Sequence, residues 1–212
     1  MRLNVEAHIK KNKRSRNMKT LIDYYDDFAN EWADEWYQNE TLLPYLKELI
    51  KYLPNNARVL DLCCGAGYES MRLHNLGVNV VGADLSEKSI ELAREKNPQI
   101  PFYVKDMLQP YTDLGDFDAV ACIAGVVHIP EQNLHLAFKN MYDVIKNDGY
   151  LFLVVKDGEK IVDSIVKNNQ EYARKFFCYT LNKLKQYTQT MFEFIKEFNS
   201  DTNWKYYLFK KI

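Results

Sequence analysis

The sequence has 212 residues, long enough to bury one substantial core and short for two, and its 47% hydrophobic, 14% aromatic and 27% charged residues are those of a folded globular protein rather than a disordered or disulfide-stapled one. Its 28 basic and 29 acidic residues leave a net charge of -1, so no global field draws it to a polyanion, and nucleic acid is not an expected partner. Cys63, Cys64, Cys122 and Cys178 lack the paired spacing of a zinc site, and no apolar run suits a membrane span or a leader peptide, so the expectations are no metal, free thiols and a cytoplasmic location.

Residues 1–17 are polar, with a basic cluster over 10–16, and read as a solvated tail or loose leading helix, or alternatively as a nucleic-acid or membrane arm. From 21 to 36 the aromatic residues Tyr24, Tyr25, Phe28, Trp32 and Trp36 recur mostly at three and four residues, the spacing of one greasy helix face. That face either packs on the core or covers a ligand. Leu42, Leu46, Leu49, Ile50 and Leu53 mark an amphipathic helix stopped by Pro54. A short apolar strand over 59–62 then breaks into Gly65 and Gly67, a helix over 69–76 is closed by Gly77, and a second strand over 78–83 ends at Asp84. Ser86 caps a helix running to about Lys96 with Ile90 and Ala93 turned inward.

The same rhythm continues. A third strand over 102–104 ends at Asp106 and Met107, and a fourth spans 118–124. Leu134, Phe138, Met141 and Ile145 give the next helix its seam, Asn147-Asp148-Gly149 turns the chain, and 150–155 is the fifth strand. Strands apolar on both faces and separated by helices pair in parallel through right-handed crossovers, so the fold class is α/β with an open, doubly wound, Rossmann-like sheet and helices on both faces. Residues 157–175 read as a polar loop with some helix. Thr180 caps a helix over 181–187, and strands over 192–198 and 204–209 form an antiparallel hairpin at the sheet edge. The whole is one domain: tail (1–17), helical lid (18–54), core (57–156), and C-terminal helix and hairpin (157–212).

In such sheets ligands bind beyond the carboxyl ends of the strands. A turn with two glycines lets a ligand approach bare backbone. Asp84 offers acceptors for two ribose hydroxyls, while Asp106 and the Met107 amide suit adenine. Each also has a plain structural reading: Asp84 as a helix starter, Asp61 as a buried acid bonded to loop amides, the glycines as a tight turn. A dinucleotide fingerprint wants a third glycine where Ser70 stands, so the pyrophosphate cradle is incomplete. A nucleoside bearing an amino-acid tail fits better, its ammonium facing Asp61 and the carbonyls near Cys63 and Ala124.

Val59-Leu60-Asp61-Leu62-Cys63-Cys64-Gly65-Ala66-Gly67 resembles the first motif of the class I S-adenosylmethionine-dependent methyltransferases, with Cys63 where glycine is commoner. Val81-Gly82-Ala83-Asp84-Leu85-Ser86, Val104-Lys105-Asp106-Met107, Phe117-Asp118-Ala119-Val120 and Ile145-Lys146-Asn147-Asp148-Gly149-Tyr150 resemble the motifs that follow, over about residues 57–156. Tyr25-Asp26-Asp27-Phe28-Ala29-Asn30-Glu31-Trp32 is similar to the leading segment of the small-molecule branch. The resemblance implies a seven-stranded sheet and S-adenosylmethionine as cofactor. It places Asp61 at the methionine ammonium, Cys63, Gly65, Gly67 and Ala124 against the cofactor, Asp84 and Leu85 at the ribose, Asp106 and Met107 at adenine, and Tyr25 and Trp32 as covers.

Methyl transfer from a sulfonium is an in-line displacement, so the protein mainly aligns the acceptor and excludes water. Where the acceptor must lose a proton, the candidate base is His128, whose plain reading is a packed residue ahead of Pro130. The expected acceptor is a small molecule, the expected assembly a monomer or homodimer. The alternatives are an RNA-modifying methyltransferase using the basic run, and a cofactor-binding protein without catalysis.

Overall fold

The computed structural model describes residues 18–158, 161–162 and 165–212; the basic run at 10–16 falls outside them. The aromatic segment, expected as one helix, forms two, α1 (Leu21–Asp27) and α2 (Ala29–Tyr37). Thr20 and Asp23 close a reciprocal capping box at the start of α1. The break falls at Phe28, at φ -112° and ψ 14°, because the two halves of the stripe have different partners. Tyr24 and Phe28 pack on Tyr172, whereas Ala29 and Ala33 pack on Ala66 and Leu92, and one straight helix cannot face both.

Next come α3 (Leu43–Ile50), β1 (Arg58–Leu62), α4 (Tyr68–Asn75), β2 (Asn79–Asp84), α5 (Glu87–Lys96), β3 (Phe102–Val104), β4 (Phe117–Ile123), α6 (Leu134–Val144) and β5 (Ile145–Lys156). The helix ends follow the expected chemistry. Gly77, at φ +91°, closes α4, and Ser86 Oγ accepts from the Ser89 amide at the start of α5. One boundary differs: β5 begins at Ile145 and takes in the expected turn at 147–149. Ile145 pairs with Phe117 and Tyr150 with Ala119, so the intervening residues bulge out of the ladder with Asp148 at φ +62°.

The seven strands lie in the order β10-β11-β5-β4-β1-β2-β3, where β10 is Phe192–Phe198 and β11 is Trp204–Lys211. The five strands from β5 to the edge strand β3 are parallel, and the hairpin adds β11 antiparallel to β5. Alternate residues supply the two faces. Leu60, Leu62, Val120, Cys122, Leu151 and Leu153 join one core with α6 and α7 (Leu181–Thr188). Val59, Val80, Ala119, Ala121, Phe152 and Val154 join the other with α3, α4 and α5. Strand order reverses between β1 and β4, which places a ligand crevice at their carboxyl ends.

The stretch 157–175 corrects the sequence reading. It contains no helix among the described residues; β6 (Ile161–Val162) pairs with β9 (Phe176–Phe177), and β7 (Ile165–Lys167) with β8 (Gln170–Tyr172), in two small antiparallel ladders. Strands of two or three residues are too short to carry a readable alternation. No described helix is long and apolar enough to cross a membrane, and no group of three or more His, Cys, Asp or Glu among the described residues could hold a metal ion.

Candidate functional site

Two residues that are not glycine close the strands flanking the reversal in left-handed backbone: Cys63 after β1 at φ +64° and Ala124 after β4 at φ +55°. Such a conformation costs an L-residue about 1–2 kcal/mol, a cost that glycine would escape. Gly125 makes room for the result, since a Cβ there would lie 2.6 Å from Cys63 Sγ and 2.9 Å from Cys122 Sγ. Gly67 takes φ +82° at the start of α4, and a Cβ on it would meet the Phe102 ring at 2.8 Å. The Tyr68 ring reaches back over Gly65, its hydroxyl 3.4 Å from where a Cβ would stand.

Three carboxylates surround this loop. Asp61 is buried and accepts from Ser70 Oγ at 2.6 Å, so the serine in the third glycine position is the partner of the first acid. Burial, only partly offset by that bond, raises Asp61 to about 7. Glu69, buried beside it, is raised to about 7 by the same desolvation against the pull of Arg72, whose Nη1 lies 3.1 Å from Oε1. Its Oε2 is buried with no partner. Asp84 takes the Gly65 amide on Oδ2 and the Ser86 amide on Oδ1, each at 2.9 Å. Burial still raises it above the usual carboxylate range. Each of its oxygens keeps a second lone pair, so the structural role and that of hydroxyl acceptor coexist.

Leu85, directly after β2, and Tyr103 and Val104, at the end of β3, are large apolar side chains left open to solvent. Asp106 Oδ1 accepts from the Leu108 amide at 2.8 Å, while the Met107 side chain belongs to the core and offers the site only its backbone. Asp61, Cys63, Gly65, Gly67, Asp84, Leu85, Asp106, Met107 and Ala124 thus all lie at the carboxyl ends of β1 to β4.

The N-terminal helices are tied to that edge by hydrogen bonds. Asp26 Oδ1 accepts from Ser86 Oγ at 2.5 Å and from the Lys88 amide at 3.3 Å. The Tyr37 hydroxyl donates to the Ala66 carbonyl at 2.8 Å, and Arg72 Nη2 donates to the Trp36 and Tyr37 carbonyls. On the far side, Lys19 joins β8 through backbone bonds to Glu171 and Ala173, and the Tyr172 hydroxyl donates to Asp27. Of the two expected covers, Trp32 is partly buried and Tyr25 sits against His128.

His128, in the turn after β4, has both ring nitrogens engaged. Nδ1 lies 2.9 Å from the Lys175 carbonyl, which can only accept, so the proton is on Nδ1 and Nε2 receives the Tyr25 hydroxyl at 2.8 Å. Burial, with Arg174 adding repulsion, lowers its pKa to about 4 and keeps it neutral. Ser70, Glu69, Tyr68, Gly125, Asp26 and Arg174 were missed as site residues by sequence reasoning. Glu69 and Ser70 look like ordinary helix positions, and Arg174 lies in a polar stretch without periodicity; only Asp26, inside the leading motif, carried a signal.

Residues 59–149 match the family described as methyltransferase domain. YqeM of Bacillus subtilis strain 168, whose name places it among the methyltransferases, is 33% identical over 144 residues, covering 66% of this chain and 58% of YqeM. A ubiquinone biosynthesis O-methyltransferase of Xanthomonas axonopodis pv. citri is 28% identical over 151 residues, covering 66% of this chain and 62% of that enzyme. The chain therefore spans less than two thirds of the length of these two curated relatives. The PH0226 protein of Pyrococcus horikoshii shares the fold, with a TM-score of 0.69 at 23% identity over 82% of this chain and 89% of that one. Residues 59–149 of this chain are thus similar to the methyltransferase domain family, and the strand order and the glycine loop described above lie within and around that match.

Proposed function

We propose that the protein transfers the methyl group of S-adenosylmethionine to a small organic acceptor. The observation that carries this reading is the acidic seat: Asp61, Glu69 and Asp84 stand around the glycine loop, all desolvated, with Arg72 as the cation paired within it and one buried carboxylate oxygen unpartnered. Buried anions in excess of cations are costly, so the seat favours a ligand that brings positive charge and rejects one that brings phosphate. When bound, the cofactor supplies an electrophilic methyl on a sulfonium and an ammonium at its amino-acid end.

The chain's own residues then bind, orient and exclude water. Asp61 holds the ammonium together with the Cys63 and Ala124 carbonyls, and Gly65 and Gly67 let the cofactor approach backbone. Asp84 takes the ribose hydroxyls, Leu85 packs beside them, and Asp106 and the Met107 amide meet adenine. Tyr25 and Trp32 cover the site. His128, neutral and accepting the Tyr25 hydroxyl on Nε2, is the candidate base for an acceptor that must lose a proton, which has to displace that hydroxyl to reach it. The similarity to a ubiquinone biosynthesis O-methyltransferase supports a small organic acceptor.

Calorimetry tests the reading. The pure protein is expected to bind S-adenosylmethionine and not NAD, and Asp84→Ala to weaken that binding by roughly 1–3 kcal/mol, the cost of leaving polar groups unpaired. Preferential NAD binding would overturn the assignment, and an unchanged affinity in the variant would remove Asp84 from the site.

A further inference from the structure

Next to His128 lies a cation whose surroundings are incomplete. The Arg174 guanidinium stands 4.3 Å from the centre of the Phe176 ring, 4.7 Å from Tyr24, 5.5 Å from Trp32 and 5.6 Å from Tyr25. Its one side-chain hydrogen bond among the described residues is long, 3.4 Å from Nη2 to the Tyr25 hydroxyl, which in turn donates to His128 Nε2. Arg174 Nε and Trp32 Nε1 are both buried donors with no acceptor. Among the described residues Arg174 makes no ion pair.

Aromatic faces compensate a desolvated guanidinium only in part, and an orphaned buried N–H costs more than a satisfied one gains. Both deficits have the same remedy. An oxyanion between Arg174 and Trp32 would accept from both orphaned donors and neutralise the charge. The two donors come from different segments, Trp32 from α2 and Arg174 from the stretch after β5, so the anion would bridge two parts of the chain that are far apart in sequence. One guanidinium and one neutral N–H match the single charge and paired oxygens of a carboxylate. The Tyr25 and Phe176 rings beside them offer apolar walls.

We propose that the methyl acceptor carries a carboxylate, held by Arg174 and the Trp32 indole N–H, attached to an apolar body that packs on Tyr25 and Phe176. This rests on the methyl-donor reading above. The carboxylate is a handle that positions the acceptor next to His128.

Ligand-observed NMR titrations of the full chain, saturated with S-adenosylhomocysteine, can decide it with benzoate and hexanoate as probes, benzamide and hexanamide as their neutral isosteres, and inorganic phosphate. At least one carboxylate is expected to bind saturably and ten-fold or more tighter than its amide. Arg174→Gln is expected to lose that preference, Arg174→Lys to keep part of it, and both to bind S-adenosylhomocysteine within two-fold of the wild type, which shows that they fold. The assignment is overturned by amides binding as well as carboxylates, by Arg174→Gln behaving as wild type, by no saturable carboxylate binding, or by phosphate binding tighter than either carboxylate. Failure of the wild type to bind S-adenosylhomocysteine would instead sink the methyl-donor reading, and the carboxylate comparison made without it would still decide the role of Arg174.

Discussion

At the scale of single residues, the site is built from positions that depart from local preference. Cys63 and Ala124 both hold left-handed backbone where glycine would be relaxed, and strain of this kind persists only where the surroundings over-determine it. Here Gly125, free of a side chain, makes room for the Cys63 and Cys122 thiols. His128 is the residue whose role most needs measurement, because its hydrogen bonds to Lys175 and Tyr25 serve structure as well as chemistry. If it is the base, His128→Ala should lower label transfer from methyl-labelled cofactor into a metabolite pool by about 10²-fold or more, with cofactor affinity spared. The sign of the pH effect follows from burial. A base must be unprotonated, and with its pKa lowered to about 4 the wild type should keep its rate as pH falls through 6.5, losing it only near 4. A wild-type rate in the variant would leave His128 structural.

At the scale of elements, the two N-terminal helices are held by specific latches. α1 is clipped at Asp26 to the start of α5 and through Lys19, Asp27 and Tyr172 to β8, while α2 is clipped by Tyr37 and Arg72 to the glycine loop and α4. A charge-assisted hydrogen bond is worth about 1.5–3 kcal/mol where it is desolvated, so Asp26→Ala should loosen α1 without unfolding the sheet. The expected signature is faster amide exchange confined to residues 21–37, together with roughly ten-fold weaker S-adenosylmethionine binding, about 1.4 kcal/mol. Exchange indistinguishable from wild type would show that Asp26 is no latch. The division of the aromatic stripe into two helices belongs here too. Its periodicity was plain in the sequence, but the break at Phe28 depends on Tyr172, 144 positions away, a partner that no local pattern reveals.

At the scale of the whole molecule, the acidic seat should dominate the pH dependence of stability. Asp61 and Glu69 have folded values raised to about 7. Each therefore contributes stability that is fully present below the ordinary carboxylate range and lost as pH rises towards and through 7. His128, lowered to about 4, acts in the opposite sense, losing stability as pH falls from 6.5 to 4. Two acids outweigh one histidine, so without cofactor the protein should become more stable in urea denaturation as pH falls from 7.5 to 5. Asp61→Asn should flatten that slope. A slope of the opposite sign would show that the seat is not protonated near neutrality.

What the sequence by itself determined is the scaffold and its loaded edge. Short unbroken apolar runs for the strands, period-three-to-four apolar patterns for the helices, the glycines at 65, 67 and 77, and the acids at strand ends are local signals, and each local choice agrees with the doubly wound sheet. Ser86 and Thr180 sit at helix starts as expected, and the C-terminal hairpin lies at the edge as expected. Only the tertiary structure decided what those residues touch. It joined Ser70 to Asp61, left one Glu69 oxygen unpartnered, set the proton of His128 through the Lys175 carbonyl, and brought Arg174 among four aromatic rings from across the chain. The physical reason is that hydrogen-bond satisfaction and desolvation depend on neighbours in space, and most of these neighbours are separated by scores of residues along the chain.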